Sequence, residues 1–182
     1  MCIRDSDYPE SIEGKRAKGA YLRLTGIGKK VPFKGATEDR KSLALANPQL
    51  RGKVVVVYFW HTWCADQAVN AKSETAFEVF ADLKSKYNND VVFVSANVEE
   101  TTETYKDKFS GDLKGMIRMH APGGNEKSEL AIQLGVVTAP MMAVWDQDGV
   151  LVDCESGAGE LDRLIQRLQK KNKPVVKQAA RK

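Results

Sequence analysis

Seven consecutive residues, Val54–Trp60 (VVVVYFW), carry no polar group except the Tyr58 hydroxyl and the Trp60 indole N–H. The run is too short for a helix, and its β-branched residues favour extended backbone. It is also too uniformly apolar for a strand with one wet face. It reads as a strand buried on both sides, the property of central strands in an α/β sheet. A chain organised around such a strand has to place helices over both of its faces.

The rest of the chain supplies them. Val91–Ala96 is a second buried strand, and Met116–Met119 reads as a short edge strand. Met141–Trp145 and Val150–Cys154 are strands joined by Asp146-Gln147-Asp148-Gly149, a hairpin turn. A long helix is predicted over Asp66–Tyr87, because Ala76, Phe77, Phe80, Leu83 and Tyr87 recur at three- and four-residue spacing. Glu99–Phe109 and Glu126–Leu134 read as further helical segments, broken by Pro122-Gly123-Gly124. Leu161, Leu164, Ile165 and Leu168 mark a last amphipathic helix. Upstream, Ser11–Gly19 reads as a loose lead-in and Tyr21–Thr25 as a short strand. Val31–Lys34 and Ser42–Leu45 read as a hairpin. The expectation is one α/β domain over 20–171, a central mixed sheet with helices on both faces and an N-terminal β-hairpin extension. Residues 1–19 lie before it and a basic, disordered tail, 172–182, after it.

Charge is unevenly placed. From Arg167 onward there are seven basic residues and no acid; without them the chain has 21 basic and 24 acidic residues. A terminal charge run of this length reads as solvated, and no nucleic-acid partner is expected. The longest uncharged run, Leu130–Trp145, has 16 residues and contains Gln133, Gly135 and Pro140. That is short of the ~20 apolar residues of a membrane span, so no transmembrane segment is expected. Three cysteines are too few for a disulfide scaffold. Met1–Ser6 (MCIRDS) has no apolar core of a secretory signal and resembles a cloning remnant, so Cys2 carries no weight and the native start is expected upstream. His120 and Cys154 make no ligand spacing, and neither metal nor cofactor is expected.

The chemistry gathers where the buried strand ends, at His61-Thr62-Trp63-Cys64-Ala65-Asp66-Gln67. The segment Gly52–Cys64 resembles the G-K-V-V-x-x-F-W-x-x-W-C stretch of the thioredoxin superfamily, in its TlpA/ResA-like, redoxin-type branch. Leu134–Pro140 (LGVVTAP) resembles that family's segment with a cis-proline facing the active cysteine, Trp145–Gly149 its D-x-D-G hairpin, and Gly157 a groove glycine. The resemblance covers roughly Tyr21–Leu168. It implies a thioredoxin-like fold, thiol–disulfide oxidoreductase and antioxidant activity in cell redox homeostasis, thiol or disulfide partners, and an exported, periplasmic or cell-envelope setting. It also implies Cys64 as the catalytic thiol at a helix start and a substrate groove of Trp60, Trp63, Ala139, Pro140 and Gly157. A helix N-terminus favours thiolate, the attacking species.

Departures from the family pattern are as informative. Its C-x-x-C motif reads Cys64-Ala65-Asp66-Gln67, so Gln67 replaces the resolving thiol that exchange with product release requires. Asp66 beside Cys64 is expected to oppose thiolate formation, and His61 to face solvent or assist proton transfer. Tyr58 occupies the place of the family's buried carboxylate, and Lys72 that of a helix-kinking proline. Cys154 reads as too distant to resolve a disulfide, and Glu160, Asp162 and Arg163 as helix-surface charges. Two functions stay open. One is a redox domain limited to single-thiol chemistry, in which Cys64 is reactive; a thiol peroxidase ranks below it, because Val57 and His61 stand where peroxiredoxins carry Pro and Thr. The other is a polypeptide-binding module in which Cys64 is inert. The oligomeric state is left open.

Overall fold

The computed structural model describes residues 10–99, 114–119 and 127–171. The terminal tail, most of the Glu99–Phe109 segment, His120 and the Pro122-Gly123-Gly124 break lie outside the described residues.

Five strands form one mixed sheet in the order β5-β4-β3-β6-β7: β3 (Val54–Trp60), β4 (Val91–Asn97), β5 (Ile117–Arg118), β6 (Met141–Trp145) and β7 (Leu151–Asp153). β3 is central. It runs parallel to β4, with Trp60 opposite Asn97, and antiparallel to β6, with Tyr58 opposite Met142. All seven residues of β3 are buried, which is why the run shows no alternation. Val54, Val56, Tyr58 and Trp60 face a layer made by α2 (Ala76–Tyr87) and α4 (Leu161–Lys171). Val55, Val57 and Phe59 face the opposite layer, which includes Leu130 and Ala131 of α3 (Glu129–Gln133) and Leu43. Leu43 belongs to the small antiparallel hairpin of β1 (Lys34–Ala36) and β2 (Ser42–Ala44). The predicted hairpin forms, with its first strand moved toward Ala36. The segment before it still enters the core: Val31 and Phe33 are buried, and Phe33 meets Trp145 edge-on at 5.4 Å.

Two elements differ from the sequence reading. The expected lead-in and short strand over 11–25 are instead one helix, α1 (Ile12–Gly26), capped by Ser11, whose hydroxyl accepts from the Gly14 N–H at 3.0 Å. Its apolar residues form no helical stripe, and Tyr21 and Leu24 are exposed. Leu22 packs on the core, and close backbone contact does the rest. A Cβ on Gly19 would lie 2.2 Å from the Ile132 carbonyl, and one on Gly135 2.2 Å from the Ala20 nitrogen. The second difference bears on the site: the helix expected from Asp66 starts only at Ala76. Asn70 explains the delay. Its side-chain oxygen accepts from the Lys72 and Glu74 N–H groups at 2.9 and 3.3 Å, drawing backbone donors into a loop. Val69 N–H then reaches the Glu74 carbonyl at 2.8 Å. Thr75 and Glu78 form a reciprocal capping box at the true start. Lys72 is exposed in this loop, with no helix around it to kink.

On the far side, Asp162 proves to be more than a surface charge. It accepts from the Tyr87 hydroxyl at 2.5 Å and from Lys86 at 2.8 Å, joining α4 to α2.

Candidate functional site

The end of β3 is fixed before the site begins. Trp60 has no exposed surface, donates its indole N–H to the Ser95 hydroxyl of β4 at 2.8 Å, and meets Phe77 edge-on at 4.9 Å. It is therefore a core residue and not a wall of any groove, contrary to its sequence assignment.

From Trp60 the chain enters a single 3₁₀ turn, Thr62–Cys64, with the Cys64 N–H donating to the His61 carbonyl at 2.9 Å. Cys64 thus ends a short turn and does not begin a long helix, so no helix N-terminus supports its thiolate. The side chain is buried, at 1% exposure. Burial is the main cause that pushes its thiol above the ordinary range; a backbone hydrogen bond at His61 opposes this, and the Glu99 charge adds to it. An acid that acts on the thiol is Glu99, at the end of β4; the Asp66 side chain is exposed. Burial, and next the Cys64 charge, push the Tyr58 hydroxyl up as well. Wedged edge-on between Phe77 and Phe80 at 5.9 and 5.1 Å, this phenol is no substitute for a carboxylate base near neutral pH.

Two neighbours of Cys64 face outward. Trp63 is 54% exposed and stacks on His61 with ring centres 6.1 Å apart. Gln67 is exposed, and its N–H donates to the Cys64 carbonyl at 3.3 Å.

The other candidate groove residues gather at the head of β6. The Ala139–Pro140 peptide is cis. Pro140 and Gly157 line one cavity of about 330 Å³ with Tyr58, Val69, Met142 and Cys154. Cys64, Trp60 and Trp63 are not in its lining; Ala139 provides the link, packing on the core cluster that holds Cys64. A separate cleft of about 40 Å³ brings His61 against Val136, Val137 and Thr138, the residues leading into Pro140, with Arg16 of α1 beside them. The structure therefore separates the sequence candidates into a turn, with His61 and Trp63 at its surface and Cys64 buried, and a cavity (Pro140, Gly157), joined through Ala139 and the 136–138 loop.

Two residues of this region were not singled out from sequence. Arg16 arrives with the unexpected helix. Glu99 lies just beyond the carboxyl end of a parallel strand beside the central one, the edge where open α/β sheets place their sites. Cys154 is buried at 7% exposure, and its thiol is pushed up to about 12, first by burial.

Residues 27–164 match the Redoxin family. The chain belongs to that family. No curated protein matches it in sequence. Among solved structures it resembles a thiol-disulfide oxidoreductase from Bacteroides fragilis NCTC 9343 at 19% identity, over 76% of this chain and 98% of that one, with a TM-score of 0.61. It also resembles MTB DsbF (21% identity, 76% and 93% covered, TM-score 0.55). A third likeness is to the exposed lipoprotein thioredoxin Etrx1 of Streptococcus pneumoniae TIGR4 (23% identity, 77% and 99% covered, TM-score 0.53). At these identities the likeness establishes the thioredoxin-like fold. Among the described residues, no helix is long and apolar enough to cross a membrane.

Proposed function

We propose that this chain is a single-thiol thioredoxin-fold oxidoreductase: Cys64 forms one mixed disulfide with a polypeptide or small-molecule disulfide and cannot resolve it within its own motif. The observation behind this reading is the turn after β3, where Cys64 is followed three residues later by the exposed amide of Gln67. In the step, the Cys64 thiolate attacks one sulfur of the substrate disulfide. A new S–S bond forms, the old one breaks, and the second substrate sulfur leaves as thiolate with the electron pair. Release then requires a thiol from solution or from a partner. The exposed Trp63 and Val137 beside the turn offer an apolar surface for a polypeptide chain. The exposed lipoprotein relative supports an extracytoplasmic setting.

The burial of Cys64 favours a second reading, in which the same surface holds an extended polypeptide without redox chemistry. The two separate in one experiment: oxidised glutathione is added across the pH range, and adducts are read by mass spectrometry in wild type and Cys64→Ser. The proposal expects one adduct on Cys64, forming faster as pH rises, and no insulin reduction above the dithiothreitol background. A Cys64 that stays unmodified at alkaline pH while the protein is folded would transfer the function to the binding module. Catalytic insulin reduction by the wild type would instead show that a second thiol resolves the bond.

A further inference from the structure

Nothing in the turn itself caps its first residue: His61, at the N-cap position, makes no side-chain capping bond. The first N–H groups of a helical turn lack partners within the turn and need one from outside. Glu99 provides it. Its Oε1 accepts from the Thr62 backbone N–H at 2.9 Å and from the Thr62 hydroxyl at 2.5 Å, and lies 3.9 Å from His61 Nδ1. The carboxylate is itself aimed by its strand. Val98 N–H donates to the Trp60 carbonyl at 2.9 Å, and the Glu99 N–H to Asn97 Oδ1 at 3.0 Å.

We propose that Glu99 is a positioning residue for Cys64: it fastens the entrance of the turn to the end of β4 and brings a carboxylate onto the same short turn that ends at the thiol. The inference deepens the single-thiol reading by naming what restrains the thiol. A backbone carbonyl or a neutral amide oxygen could accept from Thr62 equally well; a carboxylate accepts from it and also disfavours a second negative charge nearby. The Glu99 side chain is 20% exposed, so solvent screens this effect less than at an open surface. Among the described residues, the other ionisable groups near the turn are His61 in the same stretch, Tyr58 on β3 and Asp66 just beyond the turn, with Arg16 of α1 bordering the cleft next to His61.

The charge and the tether can be separated. Glu99→Gln keeps an acceptor for Thr62 and removes the charge; Glu99→Ala removes both. With cysteine labelled at ¹³Cβ, and the Cys64 signal assigned by Cys64→Ser, the ionisation of the thiol is read directly by NMR whether or not it reacts. Glu99→Gln should titrate at lower pH, with roughly threefold more thiolate at any pH below the midpoint. Its Thr62 amide should keep wild-type protection from hydrogen exchange, while Glu99→Ala loses about tenfold, the loss of one hydrogen bond. A Glu99→Gln titration superimposed on wild type, or unchanged Thr62 protection in Glu99→Ala, would overturn the role of Glu99 and leave the single-thiol reading intact. Failure of Cys64 to take up glutathione would do the reverse.

Discussion

Cys154 shows how much of this site's chemistry is decided by burial at single residues. Arg23 on α1 favours its thiolate, yet burial outweighs the cation and Asp153 and Glu155 work on the same side, so the thiol is held near 12 against an ordinary 9.0. The native state therefore keeps a proton that the unfolded chain gives up. Stability from this group is complete below pH 9.0 and falls as pH climbs toward 12. Urea unfolding at pH ~8 and ~10.5 should show wild type losing more stability across the interval than Cys154→Ala, in which the term is absent. Parallel losses would mean that the thiol titrates normally. The same balance holds at Cys64, where burial again dominates. The sequence singles out Cys64 as the thiol to consider, but not its burial, because burial depends on a turn geometry that no spacing reveals. Glu99 was illegible for a related reason. Its importance comes from the register of β4 against β3, which places an acid from one strand end on the first turn after the other.

Among the elements, the strands of the central sheet were legible and the starts of α1 and α2 were not. A run such as Val54–Trp60 has one stable solution, so composition alone fixes it. Helix α2 is different. Its stripe of Ala76, Phe77, Phe80 and Leu83 shows that a helix exists without showing where it begins, and the residues from Asp66 onward carry no signal against extending it. The start was nonetheless written in the sequence, as the Thr-x-x-Glu pattern at Thr75–Glu78. Thr75 holds the Glu78 carboxyl below the usual carboxylate range, first through its backbone N–H and then through its hydroxyl. Thr75→Ala should cost about 1 kcal/mol in urea unfolding, the usual worth of an N-cap. A loss near zero would indicate that packing of Phe77 and Phe80 alone sets the helix start. Helix α1 was unreadable for the opposite reason. Glycine at 14, 19 and 26 argues against a helix locally, and tertiary contacts, the close approaches of Gly19 to the Ile132 carbonyl and of Gly135 to Ala20, offset this.

The whole molecule sets which thiol could attack if a second one were present. In the pattern this chain resembles, the first cysteine heads a helix and leads the reaction. Here the Asn70 loop delays α2 to Ala76, which leaves position 67 exposed and Cys64 beneath it, close enough to Tyr58 for their charges to interact. The Gln67 N–H to Cys64 carbonyl bond still closes a four-residue turn. Such a turn holds its end Cα atoms within ~7 Å, and a disulfide tolerates ~4.4–6.8 Å. Gln67→Cys should therefore form a bond to Cys64 under mild oxidation, detectable by mass spectrometry. Its polarity should be reversed: the introduced thiol is in solvent, whereas Cys64 is held protonated by burial and by Glu99. In the reduced variant, iodoacetamide should label the introduced thiol well before Cys64, and insulin reduction should rise above wild type while remaining slow, because Tyr58 cannot accept the proton that Cys64 must lose when it resolves. Adding Glu99→Gln should speed that second step and leave the first unchanged. If Cys64 is alkylated first, the turn opens more readily than its hydrogen bonds imply, and the wild-type thiol is then poised for attack after all. If no linkage forms, the turn does not hold positions 64 and 67 together, and the route from this fold back to a two-thiol enzyme would require α2 to be rebuilt upstream of Ala76.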